Sequence, residues 1–322
     1  MKAERDWIYA ATALTALCVV LALGLMPRID GLLPALRILP VWMLGTVMAG
    51  VIMLFGQMAL NKVESPAAEF ATIWRNQRGR VIAALATLLL AGLNMVSFIW
   101  VKTLLNYLVP FWADPMLARA DAAIFLGHDP WRLLAPYVFP QAGQVYHPLW
   151  FLIMIVLLVI AAWAPKSPQR SAVLMSYFLL WSVAGPLVHC LLPAGGPIFY
   201  EAMGYGPRFA DITPTPETAG VAQYLWATYS TGSFGAGSGI SAMPSMHVTM
   251  AASMVIASAV IARRILVPVS IACGVVALLS VALGWHYALD GIVGSIVALA
   301  VYRANLAWFT RRDRRMGEAV LA

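Results

Sequence analysis

Two histidines and one aspartate in the last third of the chain have the types and spacing of a nucleophilic site. His286 and Asp290 are four residues apart. In a helical segment they therefore lie on one face, where the carboxylate can hold one imidazole nitrogen and leave the other free to attack. His247 follows Pro244 and Ser245 at the start of an apolar run, where the unpaired N–H groups of a first helical turn suit an anion. Together these groups predict catalysis on an anionic substrate.

The composition of the chain indicates what surrounds these groups. Of the 322 residues, 61% are hydrophobic and only 11% are charged, whereas soluble domains carry about 25% charged residues. Lipid is therefore predicted to be the main solvent. The formal charge of +7 comes from basic residues beside apolar runs, which excludes nucleic acid as a partner. Cys18, Cys190 and Cys273 stand singly, so neither a disulfide framework nor a metal site is predicted.

Long apolar runs divide the chain into candidate membrane-spanning elements. The first run is predicted to be retained rather than cleaved as a signal, because it is long and lacks a clear small-residue cleavage site. The predicted fold is all-α, a polytopic transmembrane bundle of about eight spanning helices. Runs near the roughly 20 residues needed to cross a bilayer lie at 7–26, 39–60, 81–100, 148–164, 172–192, 244–262, 266–285 and 288–309.

We predict one membrane domain over residues 1–322. Residues 1–100 are expected to form supporting N-terminal helices, 101–147 an outer interfacial segment, and 148–310 the catalytic helices with an outer loop. The sequence contains no repeat of the kind that marks solenoids, and no two halves similar enough to indicate a duplicated transporter.

The basic residues orient this predicted bundle. With both termini cytoplasmic, 15 of the 21 Lys and Arg residues fall inside and 6 fall outside, the asymmetry expected from the positive-inside rule. We therefore predict a bacterial-type inner membrane or an equivalent one, with the active site on the outer, periplasmic or lumenal, face. The six outer residues are Arg28, Arg37, Lys102, Arg119, Arg132 and Arg208.

Two long segments interrupt the helices on that outer face. Residues 101–147 are predicted to form short helices in or near the interface. Residues 193–243 are rich in Gly, Pro, Ser and Thr, a composition that favours a loop with backbone donors placed around an anion. The run Gly235–Gly239 within it lacks the Gly-Lys-Ser/Thr ending and the preceding strand of a nucleotide-binding loop.

Ionisable groups at membrane depth are costly and are functional candidates by default. His247, His286 and Asp290 converge at one level beside residues 193–243, which we call the Gly-rich loop, and we interpret the three residues as catalytic. The alternative is structural: His247 caps a helix end, and the other two form a hydrogen bond at the interface.

Two short motifs carry a family resemblance. The Pro-Ser-x-His of residues 244–247 and the His-x-x-x-Asp of residues 286–290 resemble the second and third signatures of the type 2 phosphatidic acid phosphatase superfamily. The resemblance implies a six-helix-type phosphatase core and a phosphohistidine intermediate. It makes His286 the nucleophile, Asp290 the group that orients it, and His247 the acid that protonates the leaving group.

A finer resemblance concerns the segment Gly-Gly-Pro-Ile-Phe-Tyr-Glu at 195–201 and the His-Tyr pair that begins at His286. Both resemble the branch of inositolphosphotransferases that make phosphoinositol sphingolipids, over about residues 185–295. This implies transfer of a phospho-head group from a membrane phospholipid to a hydroxylated lipid, without a cofactor. A lipid phosphate phosphatase, with water as acceptor, stays open, and so does a lipid or solute transporter with intramembrane histidines, which the missing repeats disfavour.

The sequence departs from the superfamily where phosphate-binding cations are usual. The first signature is Lys, six residues, then Arg-Pro; aligned on Pro197, it places His189 at the Lys position and Gly196 at the Arg position. The Ser-Arg pair of the third signature is replaced by Leu279 and Ser280. Since electrostatic stabilisation is commonly the largest catalytic contribution, another group must meet the substrate charge.

Arg208 in the long outer loop is the first candidate for that cation, ahead of Lys102, Arg119 and Arg132. Glu201 could contact a polar head group, although an exposed loop carboxylate is the simpler interpretation. His128 and Asp129 as metal ligands, and His147 as a further site residue, are weaker alternatives, because a lone loop histidine is a weak ligand signal. The predicted substrate-binding residues are Ser245, Arg208, His189, Gly196, Ser280 and Glu201.

Overall fold

The fold is known from a computed structural model that describes residues 2–25 and 31–321, and the side chains of 7–25 and 31–315. Arg28 lies outside the described residues, as do the side chains of Lys2 and Arg5. Every regular element in the described ranges is helical, which confirms the predicted all-α class. The helices are α1 (Lys2–Leu25), α2 (Leu32–Leu36), α3 (Ile38–Leu60), α4 (Pro66–Leu108), α5 (Asp114–Ile124), α6 (Pro130–Leu134), α7 (Ala142–Trp163), α8 (Pro168–Leu179), α9 (Gly185–Leu191), α10 (Pro216–Ser230), α11 (Met246–Ile261), α12 (Leu266–Ala282) and α13 (Ala288–Leu321).

Seven helical segments of the described chain are long and apolar enough to cross a membrane. The chain is therefore an integral membrane protein with a polytopic helical bundle, as predicted. The sixth predicted run, 244–262, is absent from these seven segments and forms the 16-residue helix α11, which is about 24 Å long. It begins late because Ser245 has extended backbone and caps the helix, its hydroxyl accepting the amide of Val248 at 3.3 Å. The seven segments are Trp7–Leu25, Leu32–Leu60, Pro66–Leu108, Ala142–Trp163, Pro168–Leu191, Arg263–Ala282 and Ala288–Arg315.

Helix α4 is longer than the apolar run that predicted it. It extends from Pro66 to Leu108 with a kink at Gln77, where φ is −127° and ψ is 18°. Residues 101–108 of the predicted outer interfacial segment therefore belong to this helix. Between residues 109 and 141 the segment contains the short helices α5 and α6, and residues 142–147 belong to α7.

Helix α11 lies at the centre of the site-bearing half and packs against α7, α8, α12 and α13. Two glycines on α13 permit its close approach to α11. A Cβ on Gly294 would lie 2.2 Å from a hydroxyl oxygen of α11, and one on Gly291 would lie 3.2 Å from Val248. Because His247 precedes Val248 and Asp290 precedes Gly291, this contact brings the two candidate catalytic residues together. Helices α1 and α3 pack on α4, α7 and α8, farther along the bundle.

The orientation in the membrane remains a prediction, and two exposed positions test it. Ser233 in the Gly-rich loop and Arg263 between α11 and α12 are both exposed. A thiol reagent that cannot cross membranes should label Ser233→Cys in intact cells and should label Arg263→Cys only after permeabilisation. Native Cys190 is exposed, so both variants require a Cys190→Ala background. The reverse labelling pattern would place the site on the cytoplasmic side.

Candidate active site

His286 lies in the short connection between α12 and α13, and its side chain is only 5% exposed. Its backbone N–H donates to the carbonyl of Ser280 at 3.1 Å. Its Nδ1 is 3.0 Å from the carbonyl oxygen of Ala242. Since a carbonyl oxygen only accepts hydrogen bonds, Nδ1 carries the proton, and the lone pair of Nε2 is left available. The geometry therefore presents one defined nitrogen for attack.

Asp290 is fully buried and lies beside that imidazole. Its Oδ2 accepts the amide of Tyr287 at 2.8 Å and lies 3.6 Å from His286 Nδ1. The second distance is too long for a normal hydrogen bond, so the Ala242 carbonyl makes the closer orienting contact in this structure. Because α13 begins at Ala288, His286 precedes the helix rather than lying within it. The two groups meet because the carboxylate folds back over the first turn.

His247 is the second residue of α11, and its ring centroid is 6.1 Å from that of His286. Ser245, the residue before α11, is fully buried. Its backbone N–H donates a hydrogen bond to the backbone carbonyl of Asp290 at 3.2 Å. This bond ties the start of α11 to the start of α13. The amides of Met246 and His247 in the first turn have no acceptor within the helix, so they remain suited to an anion.

An aromatic wall from α7 surrounds His247. The ring centroids of Trp150 and Tyr146 lie 4.5 and 5.1 Å from it. His147 lies 5.4 Å from it and 5.9 Å from Trp285. Aromatic and imidazole rings therefore line the side of His247 that faces α7.

A second histidine–carboxylate pair adjoins the first, and sequence reasoning missed half of it. His147 Nδ1 lies 3.4 Å from Glu217 Oε1 on α10. Gly143, one helical turn before His147, permits this approach, because a Cβ there would lie 2.3 Å from Glu217 Oε2. His147 was weighed as a lone histidine, and its partner is 70 positions away. A glycine one turn before a histidine is the only local signal, and it is weak.

Gly196 lies against Trp285, the residue that precedes His286. Its φ is +101°, and a Cβ there would lie 2.4 Å from the carbonyl oxygen of Trp285. The amides of Gly195 and Gly196 donate to the two carboxylate oxygens of Asp114 at 2.9 and 2.8 Å. The Gly196 amide is therefore directed to Asp114 rather than to a substrate, and the glycine allows a close approach that no side chain could permit.

Two buried carboxylates on α5 position the start of α13. Asp121 accepts the amides of Ala288 and Leu289 at 2.7 and 2.8 Å, and Asp114 also accepts the Tyr287 hydroxyl at 2.9 Å. Burial raises the pKa of both carboxyl groups, while their hydrogen bonds act in the opposite direction. No signal in the sequence assigned a role to either aspartate.

Two predicted substrate-binding residues, Ser280 and His189, each make a side-chain hydrogen bond within the protein. The Ser280 hydroxyl donates to Ala277 O at 2.7 Å. His189 is buried, and its Nδ1 is 3.1 Å from the hydroxyl of Ser241, next in sequence to Ala242. Its Nε2 has no hydrogen-bond partner within the described ranges.

Arg208 and Glu201 are directed elsewhere. Arg208 donates to Asp129 at 2.6 Å and to the carbonyl of Ala118 at 2.9 Å, and the Asp129 carboxylate raises the pKa of Arg208. None of its hydrogen bonds to described residues reaches His247 or His286. Glu201 is exposed on the loop between α9 and α10. Both assignments stay predictions.

The chain was compared with known proteins at the level of families, curated proteins and solved structures. The family model described as PAP2 superfamily matches residues 115–304, which is more than half of the chain. The matched segment contains His247, His286 and Asp290, and it excludes α1 to α4. Neither the search of curated proteins nor that of solved structures found a significant match.

Proposed function

The chain belongs to the PAP2 superfamily and so is an integral membrane enzyme of the lipid phosphatase and phosphotransferase kind; on that premise we propose a specific reaction. The enzyme transfers a phospho-head group from a diester phospholipid to a hydroxylated lipid through a phosphohistidine at His286. The observation that carries this proposal is the free Nε2 of His286, left by the Nδ1 contact with Ala242, with His247 6.1 Å away between ring centroids.

In the first half-reaction, His286 Nε2 attacks the phosphorus of the donor lipid. The bond between phosphorus and the glycerol oxygen of the diacylglycerol breaks, and His247 gives its proton to that oxygen. Diacylglycerol leaves, and the phospho-head group stays on Nε2. Asp290 and the Ala242 carbonyl stabilise the positive charge that develops on the imidazole at Nδ1.

In the second half-reaction, His247 is neutral and acts as a base. It takes the proton of the acceptor hydroxyl while the acceptor oxygen attacks the phosphorus. The phosphorus–nitrogen bond breaks, which returns its electron pair to His286 Nε2 and releases the new phospholipid. Water in place of the lipid hydroxyl would give hydrolysis. The rings of Tyr146 and Trp150 around His247 favour transfer, because they restrict water.

The charge of the site supports a diester donor. Gly196, Leu279 and Ser280 stand where the superfamily signatures carry or adjoin cations, and none of them is charged. A phosphate monoester can carry two negative charges, whereas a diester carries one. Helix-start amides with a single cation suit the lower charge. The likeness of residues 195–201 to inositolphosphotransferases supports phosphoinositol as the head group and a sphingolipid as the acceptor.

A head-group assay tests this proposal against the phosphatase alternative. Purified protein is given phosphatidylinositol, phosphatidylglycerol or phosphatidic acid, each labelled in its phosphate, with and without ceramide as the acceptor. We expect a diester to be consumed faster than phosphatidic acid, and ceramide to yield a new labelled phospholipid while hydrolysis falls. Faster use of phosphatidic acid, with free phosphate as the sole product whatever the acceptor, would overturn transfer in favour of a phosphatase.

A further inference from the structure

The proposed reaction needs a positive charge at the phosphate, and the signature positions do not supply one. Arg208 is paired with Asp129, and Arg132 is paired with Asp211 at 2.9 Å. Lys102 differs from both. It is half-buried and has no ion pair or hydrogen bond with any residue whose side chain is described.

Lys102 lies two turns before the end of α4 and packs against the Gly-rich loop. A Cβ on Gly239 would lie 3.2 Å from Lys102 Cγ and 3.1 Å from the amide nitrogen of Thr103. Gly239 has a φ of +97°, so glycine is needed here both for conformation and for space. The stem of the lysine therefore fits against this part of the loop.

The same stretch of loop is bonded to α4 on both sides of Gly239. The hydroxyls of Thr103 and Ser238 are 3.2 Å apart. Asn106 donates its amide to the carbonyl of Ile240 at 2.6 Å and accepts the backbone N–H of Ile240 in return. These contacts hold residues 238–240 at a defined place along α4.

The next two residues reach the candidate active site. The hydroxyl of Ser241 contacts His189, and the carbonyl of Ala242 accepts the Nδ1 proton of His286. Gly239 and Ala242 are three residues apart, which limits their separation to about 10 Å in extended chain. Gly239, which packs against the Lys102 stem, and Ala242, which orients His286, are thus at the two ends of one short segment.

Electrostatics agree with this placement. The Lys102 charge lies within electrostatic range of His147, His189 and His247. A half-buried cation without a counter-charge among the described residues is costly, and an ionisable residue within a spanning helix is a functional candidate. A bound anion at this place would offset that cost.

We propose that the Lys102 ammonium binds a non-bridging oxygen of the substrate phosphate held between His286 and His247. Lys102 thereby replaces the signature cations from a helix outside the matched family segment. One ammonium matches the single charge of a phosphodiester. This inference rests on the proposed function and identifies the missing phosphate-binding group. The competing explanation is that Lys102 extends along α4 to the interface and only anchors the helix.

Charge-removing and charge-keeping variants separate these explanations. Lys102→Gln should lower kcat/KM for the diester lipid by about 100-fold, in the range seen when one charge-stabilising donor is removed. Lys102→Arg should retain more activity than Lys102→Gln. Arg132→Gln, an exposed outer-side cation with its own partner, should stay within about threefold of the unchanged protein. Inhibition by orthovanadate, a phosphate analogue, should weaken at least tenfold in Lys102→Gln and not in Arg132→Gln.

The outcomes decide the inference independently of the acceptor. If Lys102→Gln binds orthovanadate as tightly as the unchanged protein, Lys102 does not bind the phosphate. That conclusion holds even if turnover of the variant falls for another reason. Free phosphate as the only product would refute transfer. The Lys102 inference would survive that result, because a hydrolysed phosphate needs the same charge.

Discussion

Replacing His286 with Ala is expected to abolish both turnover and formation of the covalent intermediate. The imidazole of His286 supplies the only nitrogen that the proposed mechanism bonds to phosphorus. The contact of its Nδ1 with the Ala242 carbonyl orients the ring and leaves Nε2 free to attack. Loss of a covalent nucleophile in other enzymes costs on the order of 10⁶-fold in kcat. Activity measured with labelled phosphatidylinositol should therefore fall to background.

The matched control is His128→Ala, since His128 is an exposed histidine between α5 and α6. It should keep near-normal turnover. Near-normal turnover in His286→Ala would contradict the proposed mechanism, whichever acceptor is used. An unchanged thermal unfolding midpoint in detergent would show that the loss does not come from unfolding.

Replacing His247 should lower turnover by about 10² to 10⁴-fold with a lipid donor, the usual contribution of a general acid. The loss should depend on the leaving group, because the role of His247 is to supply a proton to the departing oxygen. A nitrophenyl phosphodiester releases a stable anion without that proton. We therefore expect His247→Asn to be impaired far less with the nitrophenyl substrate than with phosphatidylinositol.

The His286→Ala variant is an internal control, because it should lose turnover of both substrates to the same extent. Equal losses for activated and unactivated donors in His247→Asn would contradict the role of a general acid. They would favour a packing role for the ring between Trp150 and Tyr146.

The spans could be predicted from sequence because apolar length is a local property. Helix α11 shows the limit of that signal. Its apolar run includes Pro244 and Ser245, but the helix begins at Met246, where the serine hydroxyl caps it. Helix α4 departs in the other direction, since residues 101–108 continue the helix past the apolar run. Amphipathic ends of helices carry no strong hydropathy signal, and Lys102 lies in such an end.

The core of the site could be predicted because its spacing is short. His286 and Asp290 are four positions apart, and the structure places them 3.6 Å apart. The closer contact of His286 comes from Ala242, a backbone carbonyl 44 positions away. No residue type indicates which carbonyl a folded chain will place beside an imidazole.

The choice among cations could not be made from sequence. Arg208 was the first candidate because it lies in the predicted outer loop, yet Asp129, 79 positions away, pairs with it. Lys102 was one of several predicted outer cations, and the structure packs its stem against Gly239, three residues before Ala242. Long-range pairing decides which charge has a partner, and a single sequence does not record it.

The central claim is a covalent phospho-head group on His286, and direct measurement of that adduct tests it best. Purified protein is mixed with phosphatidylinositol labelled in the inositol ring and quenched without acid, because phosphoramidates are acid-labile. The mass of the peptide that contains His286 is then measured by mass spectrometry. We predict a phosphoinositol adduct on His286 that disappears when ceramide is added, while a labelled sphingolipid forms. A peptide that never gains this mass during active turnover would contradict the proposed mechanism.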